Sequence, residues 1–176
     1  DLSFLMLRDK NSFLKDGKGV IHVGANIGQE RYIYDSYLKN VLWFEPIPSV
    51  YDELQKNLEK FPDQKAYRQL ITDQDKKLYD FFITDNFASS SIFELKLHKV
   101  MWPSVRHSKK ISLESITLDT FFNENKINIE KYDTMVMDTQ GSELLVLYGS
   151  ETILKNIKYI KTEVADFESY SNCCQL

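Results

Sequence analysis

Cysteine is almost absent from these 176 residues, and the two that occur, Cys173 and Cys174, are adjacent. Neighbouring thiols cannot staple distant segments and match no zinc-ligand spacing. Neither a disulfide framework nor a metal site is expected, and a reducing, cytoplasmic compartment is. Long apolar runs are also missing: none approaches the roughly 20 residues that a bilayer crossing needs, and no charged-then-apolar leader opens the chain. No membrane span is expected. Nor is there an excess of basic charge, since 22 Lys and Arg stand against 26 Asp and Glu for a formal net charge of -4. Without a basic field to hold a phosphate backbone, no nucleic-acid partner is expected. The six glycines and four prolines are scattered and mark no linker. One domain is therefore expected over residues 20–176, with residues 1–19 as a helical lead-in. The chain starts at Asp1 rather than Met, and is read as a fragment, a processed chain or a module fused to other domains.

What the chain does have is 43% hydrophobic residues arranged as alternating strand-like and helix-like segments. Val20-Ile-His-Val23 is a β-branched run ended by Gly24, and residues 29–39 then place Ile33, Tyr34, Tyr37 and Leu38 at helical spacing. Val41-Leu-Trp-Phe44 is stopped by Glu45-Pro46, after which Ser49 is the expected cap of a helix carrying Val50, Leu54 and Leu58. Ala66 to Ile71 reads as a third strand and Leu78 to Ile83 as a fourth. Ile111 to Leu118 alternates as a half-exposed strand before a short helix at 119–125. Thr134-Met-Val-Met137 is an almost wholly apolar strand, Ser142 to Leu154 an amphipathic helix and Tyr159 to Val164 a last strand. Apolar strands alternating with helices predict an α/β fold: a mostly parallel sheet covered on both faces.

In such sheets ligands bind at the carboxyl ends of the strands, near the point where strand order reverses. That rule selects Gly24 to Gly28, Glu45, Thr72 and Asp73, Asp138 to Gly141, and Glu163. Gly24-Ala25-Asn26-Ile27-Gly28 supplies two glycines around a turn, which lets a ligand approach the main chain. A dinucleotide fingerprint would want glycine where Asn26 and Gln29 stand. A nucleoside with an amino-acid tail has no pyrophosphate and tolerates Asn there, so S-adenosylmethionine suits the turn better than NAD or FAD. Glu45 follows roughly 20 residues later, where a carboxylate accepts ribose hydroxyls; the alternative is a solvated acid at a strand end, with Pro46 as a strand stop. Asp138 ends an apolar strand and stands either at a reaction centre or as an acceptor for turn amides. Ser142 and Glu143 read as helix caps. His22 is either a satisfied core histidine or a contact to the cofactor. Ser89, Ser90, His98, Trp102 and His107 form either an acceptor wall or a packed lid.

At these residues the sequence resembles the FkbM family of methyltransferases. The resemblance is carried by VIHVGANIGQ, LWFEPIP, SSSIF, ITLDTFF, YDTMVMDTQGSELLVLYGSETIL and IKTEV, in the family's order from Val20 to about residue 168. It implies a Rossmann-like class I methyltransferase fold and S-adenosylmethionine as donor, with S-adenosylhomocysteine as product. It further implies O-methylation of a hydroxyl on a sugar, a glycan or a secondary metabolite. By this resemblance Gly24, Ala25, Asn26 and Gly28 line the methionine end of the cofactor, Glu45 binds its ribose and Asp73 lies near the adenine. Gln29, Pro46 and Thr72 adjoin these positions, and Asp138 and Gln140 face the reaction centre. The family usually has an acid where this chain has His22, which changes how the methionine end is held. The family also adds two strands after the one expected at Tyr159–Val164, for which about a dozen residues leave too little chain; the sequence is truncated or the sheet edge is completed otherwise.

Methyl transfer to an alcohol needs alignment and removal of the hydroxyl proton. Asp138 is the first candidate base and Glu163 the second, with Ser89, Ser90, His98 and Trp102 toward the acceptor. The rival readings are an NAD-dependent oxidoreductase or epimerase and a non-catalytic nucleotide-binding module.

Overall fold

The computed structural model describes residues 11–85, 87–95, 107–163, 169–171 and 173. The strands among them are β1 (Gly19–Val23), β2 (Asn40–Phe44), β3 (Gln64–Tyr67), β4 (Leu70–Ile71), β5 (Leu78–Thr84), β6 (His107–Ile116), β7 (Thr134–Met137) and β8 (Tyr159–Thr162). The helices are α1 (Phe13–Asp16), α2 (Arg31–Ser36), α3 (Pro48–Leu58), α4 (Leu118–Glu124), α5 (Glu143–Tyr148) and α6 (Glu151–Leu154). Five strands form one sheet in the order β3-β2-β1-β7-β8, every pair parallel. This is the α/β, Rossmann-like arrangement that the apolar runs predict.

The runs are apolar throughout because both faces of the sheet are covered. Ile21, Val23, Leu42, Phe44, Met135 and Met137 pack on one side with Phe121, Phe122, Val146 and Ile153 from α4, α5 and α6. Val20, Val41, Trp43 and Val136 pack on the other with Tyr34 of α2 and with Leu54 and Leu58 of α3. Each such large side chain contributes about 1.5–3 kcal/mol when removed from water. The chain runs outward through β1, β2 and β3, then returns to β7 on the opposite side of β1. The strand order therefore reverses between β1 and β7, and the crevice at their carboxyl ends lies between Gly24 and Asp138.

A second sheet of order β4-β6-β5 joins β4 parallel to β6 and β5 antiparallel to it. It corrects the single third strand expected over 66–71. The Gln69 N–H donates to the Tyr67 carbonyl at 3.1 Å, which turns the chain out of the first sheet, and Leu70 and Ile71 pair with Ser115 and Ile116. An apolar pattern carries no mark of such a change of sheet.

Three helices also differ from their sequence patterns. Residues 37–39 lie outside α2: Leu38 is 88% exposed with a φ of 54°, and only Tyr34 is buried. In α3 the cap is Ile47, not Ser49, and Pro48 takes the first helical position, where its missing N–H needs no partner. The helix expected over 142–154 is two. Asp119 of α4 accepts from the N–H groups of Thr152 and Ile153 at 2.8 and 3.0 Å, giving α6 its own capped start. After β8 the described chain resumes at Ser169, and Tyr170 bridges Leu95 in antiparallel fashion. Among the described residues β8 is the edge of its sheet, with Ile160 half exposed.

Candidate active site

Two turns face each other across the crevice, and each is held differently. At the end of β1, the N–H groups of Gly24 and Ala25 both donate to the Phe44 carbonyl at 3.0 Å, which ties the turn to β2. Gly24 has a φ of +84°, and a Cβ there would lie 1.9 Å from the Asp138 carbonyl oxygen. Only glycine fits. Asn26 follows with a φ of 46°, and its N–H donates to Glu45 Oε2 at 2.9 Å.

Glu45 leaves the end of β2 and is 5% exposed. Its other oxygen, Oε1, accepts from the Ile47 N–H at 2.9 Å. Burial pushes its carboxyl up to about 7, against the opposing pull of the two backbone donors. Each oxygen keeps lone pairs beyond these bonds, so the carboxylate is able to accept a diol as well.

At the end of β7, the Asp138 N–H donates to the Val23 carbonyl at 3.0 Å. The Asp138 carboxylate accepts from Gln140 Nε2 and opens onto the cavity rather than into the core. Crowding by the cavity walls pushes its carboxyl up to about 6; the Gln140 bond opposes this, while Glu163, Glu143 and Glu30 add to it. The turn itself has Gln140 and Gly141 at positive φ. Its N–H groups at Thr139 and Gly141 donate to the carboxylate of Glu143, at 2.8 Å and 3.0 Å. Glu143 is only 3% exposed, so its capping role is an internal anchor.

His22 lies beneath the first turn, 3% exposed. Its ring stacks on Trp43 at 4.6 Å, and Nδ1 shares a 2.9 Å hydrogen bond with the Tyr34 hydroxyl. Burial, and then Lys161, pull it down to about 3. The ring is therefore neutral at ordinary pH, and supplies dipole rather than charge.

Between the two turns is a cavity of about 200 Å³ that opens to solvent. The family model described as the methyltransferase FkbM domain matches residues 22–173. The chain belongs to the FkbM methyltransferase family. No curated protein and no solved structure matches it.

Of the residues that the sequence singles out, the cavity of this FkbM domain gathers His22, Gly24, Ala25, Asn26, Gln29, Glu45, Pro46, Ser90, Asp138 and Gln140. Others stand elsewhere. Gly28 is buried behind the turn, its N–H donating to the Ala25 carbonyl. Thr72 is fully buried and bonded to Gln74, and Asp73 accepts from Tyr79 and Gln74. Neither lines the cavity. Gln69, Leu70 and Ile71 do instead, because the first sheet ends at Tyr67, earlier than the apolar run suggests. Ser89 is buried behind the lining, and Glu163 is exposed beyond β8. His98 and Trp102 lie outside the described residues, as does the side chain of His107.

The cavity of the FkbM domain also involves residues that were not singled out as site residues from the sequence. Glu30, Ile47, Phe81, Phe87 and Ala88 line the cavity. Ser91 donates from Oγ to the Gln140 carbonyl at 2.8 Å, and Tyr170 donates to Gln140 Oε1 at 2.7 Å. The only available signal for Ser91 was its place in the SSSIF segment; for Tyr170 there was none. Among the described residues no three His, Cys, Asp or Glu side chains group as a metal site, and no helix is long and apolar enough to cross a membrane.

Proposed function

We propose that this FkbM domain methylates a hydroxyl of a sugar, glycan or secondary metabolite with S-adenosylmethionine as donor. The carrying observation is the charge of the cavity: Glu30, Glu45 and Asp138 line it, and no Lys or Arg stands among the described lining residues. That set suits a donor with a sulfonium and an ammonium group and disfavours a pyrophosphate. The family and the close backbone approach at Gly24 point the same way.

When bound, S-adenosylmethionine supplies a methyl group on positively charged sulfur, open to in-line displacement by an oxygen. The chain's own residues would divide the remaining work. Glu45 holds the ribose hydroxyls with the lone pairs left by Asn26 and Ile47. Gly24, Ala25, Asn26 and Gln29 face the methionine end, where neutral His22 offers one ring nitrogen. Pro46, Ile47 and Gln69 to Ile71 take the base edge, in place of Thr72 and Asp73. Asp138 opens onto the same cavity and accepts the hydroxyl proton, a role in which a carboxyl near 6 is mostly ionised at neutral pH. Glu163, exposed and off the cavity, is the weaker candidate. Phe81, Phe87, Ala88 and Ser90 form an aromatic and small-residue wall that fits a sugar or other ring.

Calorimetry with S-adenosylmethionine, S-adenosylhomocysteine and NAD tests this reading. The first two should bind and NAD should not; silence toward both sulfur compounds would overturn it. Asp138→Asn should keep the affinity and lose roughly 10²–10⁴-fold in transfer, measured with labelled methyl donor against sugars, glycans and small alcohols.

A further inference from the structure

The turn bearing Asp138 is touched by a stretch of chain far from it in sequence. Ser169 to Ser171 run beside residues 94 and 95: the Ser171 N–H donates to the Glu94 carbonyl at 2.9 Å, and Tyr170 bridges Leu95. Gly141 has a φ of +104°, and a Cβ there would meet Cys173 Cβ at 2.6 Å. The turn is thus shaped to let this stretch press against it. Tyr170 is 3% exposed, and its hydroxyl reaches two acceptors, Gln140 Oε1 at 2.7 Å and the Ser89 carbonyl at 3.2 Å. Gln140 Nε2 in turn donates to Asp138 Oδ1.

We infer that Tyr170 is a positioning residue for the proton-accepting group of this site, acting on Asp138 through the Gln140 amide. The inference rests on the proposed role of Asp138. A glutamine side chain has three rotatable bonds and, partly exposed as Gln140 is, has no fixed place of its own. The hydroxyl bond at its oxygen end holds the amide so that the nitrogen end faces the carboxylate. It also polarises the amide, which strengthens that donation. The held amide favours the ionised form of Asp138 against the groups that oppose it. Those are Glu163 beyond β8, Glu143 of α5 and Glu30 before α2, while neutral His22 of β1 lines the same cavity. Tyr170 itself stays a neutral phenol, since burial and then Asp138 push its hydroxyl above the usual tyrosine range.

The test is the titration of Asp138 itself, followed by carbon NMR of the aspartate carboxyls, with Asp138→Asn identifying the resonance. Tyr170→Phe keeps the ring against Leu95 and Gly141 and deletes only the hydroxyl. It should raise the Asp138 titration by about one pH unit and leave S-adenosylhomocysteine affinity unchanged by calorimetry. Gln140→Leu, which changes a cavity-facing side chain and leaves the packing of Tyr170 in place, should raise it at least as much. The double variant should add nothing further. An Asp138 titration that is unmoved in Tyr170→Phe overturns the inference, as does a shift in Tyr170→Phe that simply adds to that of Gln140→Leu. The NMR arm needs no cofactor and no acceptor. A wild type that binds neither sulfur compound therefore defeats the proposed function and leaves the Tyr170 result readable.

Discussion

The turn after β1 holds Glu45 of the neighbouring strand end at the cavity and the turn after β7 carries Asp138 there, yet they are built on different principles. The first is tied to the end of the neighbouring strand, about one helix away in sequence: the Gly24 and Ala25 N–H groups donate to the Phe44 carbonyl and the Asn26 N–H to the Glu45 carboxylate. The second is held largely by side chains: Glu143 from the start of α5, Ser91 from the segment between β5 and β6, and Tyr170 from beyond β8. Main-chain bonds such as those of Gly24 and Ala25 to Phe44 are indifferent to most side-chain changes. A side-chain-held turn can be tuned one residue at a time, which suits the proton-accepting role proposed for Asp138.

Substitution separates the two designs. Gly24→Ala forces a Cβ into the Asp138 carbonyl at a positive φ, and should cost about 3 kcal/mol or more. Thermal unfolding measures it, and a loss under about 1 kcal/mol would mean that the first turn is not rigid. Next in size is Glu143→Ala, which takes from the Thr139 and Gly141 N–H groups their shared buried acceptor. A loss of about 2–3 kcal/mol in denaturant unfolding is expected, without a matching loss of S-adenosylhomocysteine affinity.

Glu45→Gln sharpens the comparison through pH. The folded-state carboxyl is raised to about 7, so the ionised form, for which ribose binding is proposed, builds up between about pH 6 and 8, and affinity for S-adenosylhomocysteine should rise over that window. The variant should show a flat profile and bind about 10–100-fold more weakly at pH 8. The same raised group works the other way on stability. Its contribution is present below the ordinary carboxyl value and lost as pH rises through about 7, so wild type and variant should converge only at low pH. The smallest effect is expected for Ser91→Ala, which deletes one donor to the Gln140 carbonyl and one acceptor for the Phe93 N–H. About 1 kcal/mol is expected in unfolding; an effect as large as that of Glu143→Ala would make Ser91 the principal anchor of the turn.

The two turns also differ in how far they can be read from the chain. The first is written in consecutive residues: a β-branched run, two glycines, a second run and an acid, all imposed by a parallel pair of strands and the close approach between them. Asp138 is legible on the same ground, as the polar end of a four-residue apolar strand. Thr72 and Asp73 are misplaced by that logic, because the hydrophobic pattern continues through Leu70 and Ile71 while the strand pairing does not. Leu38 misleads in the same way: it sits at helical spacing after the helix has ended. Patterning reports burial, and burial is shared by every sheet a strand joins.

The sequence by itself determined that there is a parallel, doubly covered sheet, where β1, β2 and β7 end, and which family the chain resembles. These depend on local periodicity and on turn residues with few alternatives. Only the tertiary structure decided that Leu70 and Ile71 leave for a second sheet, that neutral His22 is stacked on Trp43 beneath the first turn, and that Tyr170 reaches Gln140 across 30 residues. Those contacts depend on where separate segments meet in space, and a hydroxyl that meets an amide at 2.7 Å leaves no period in the chain.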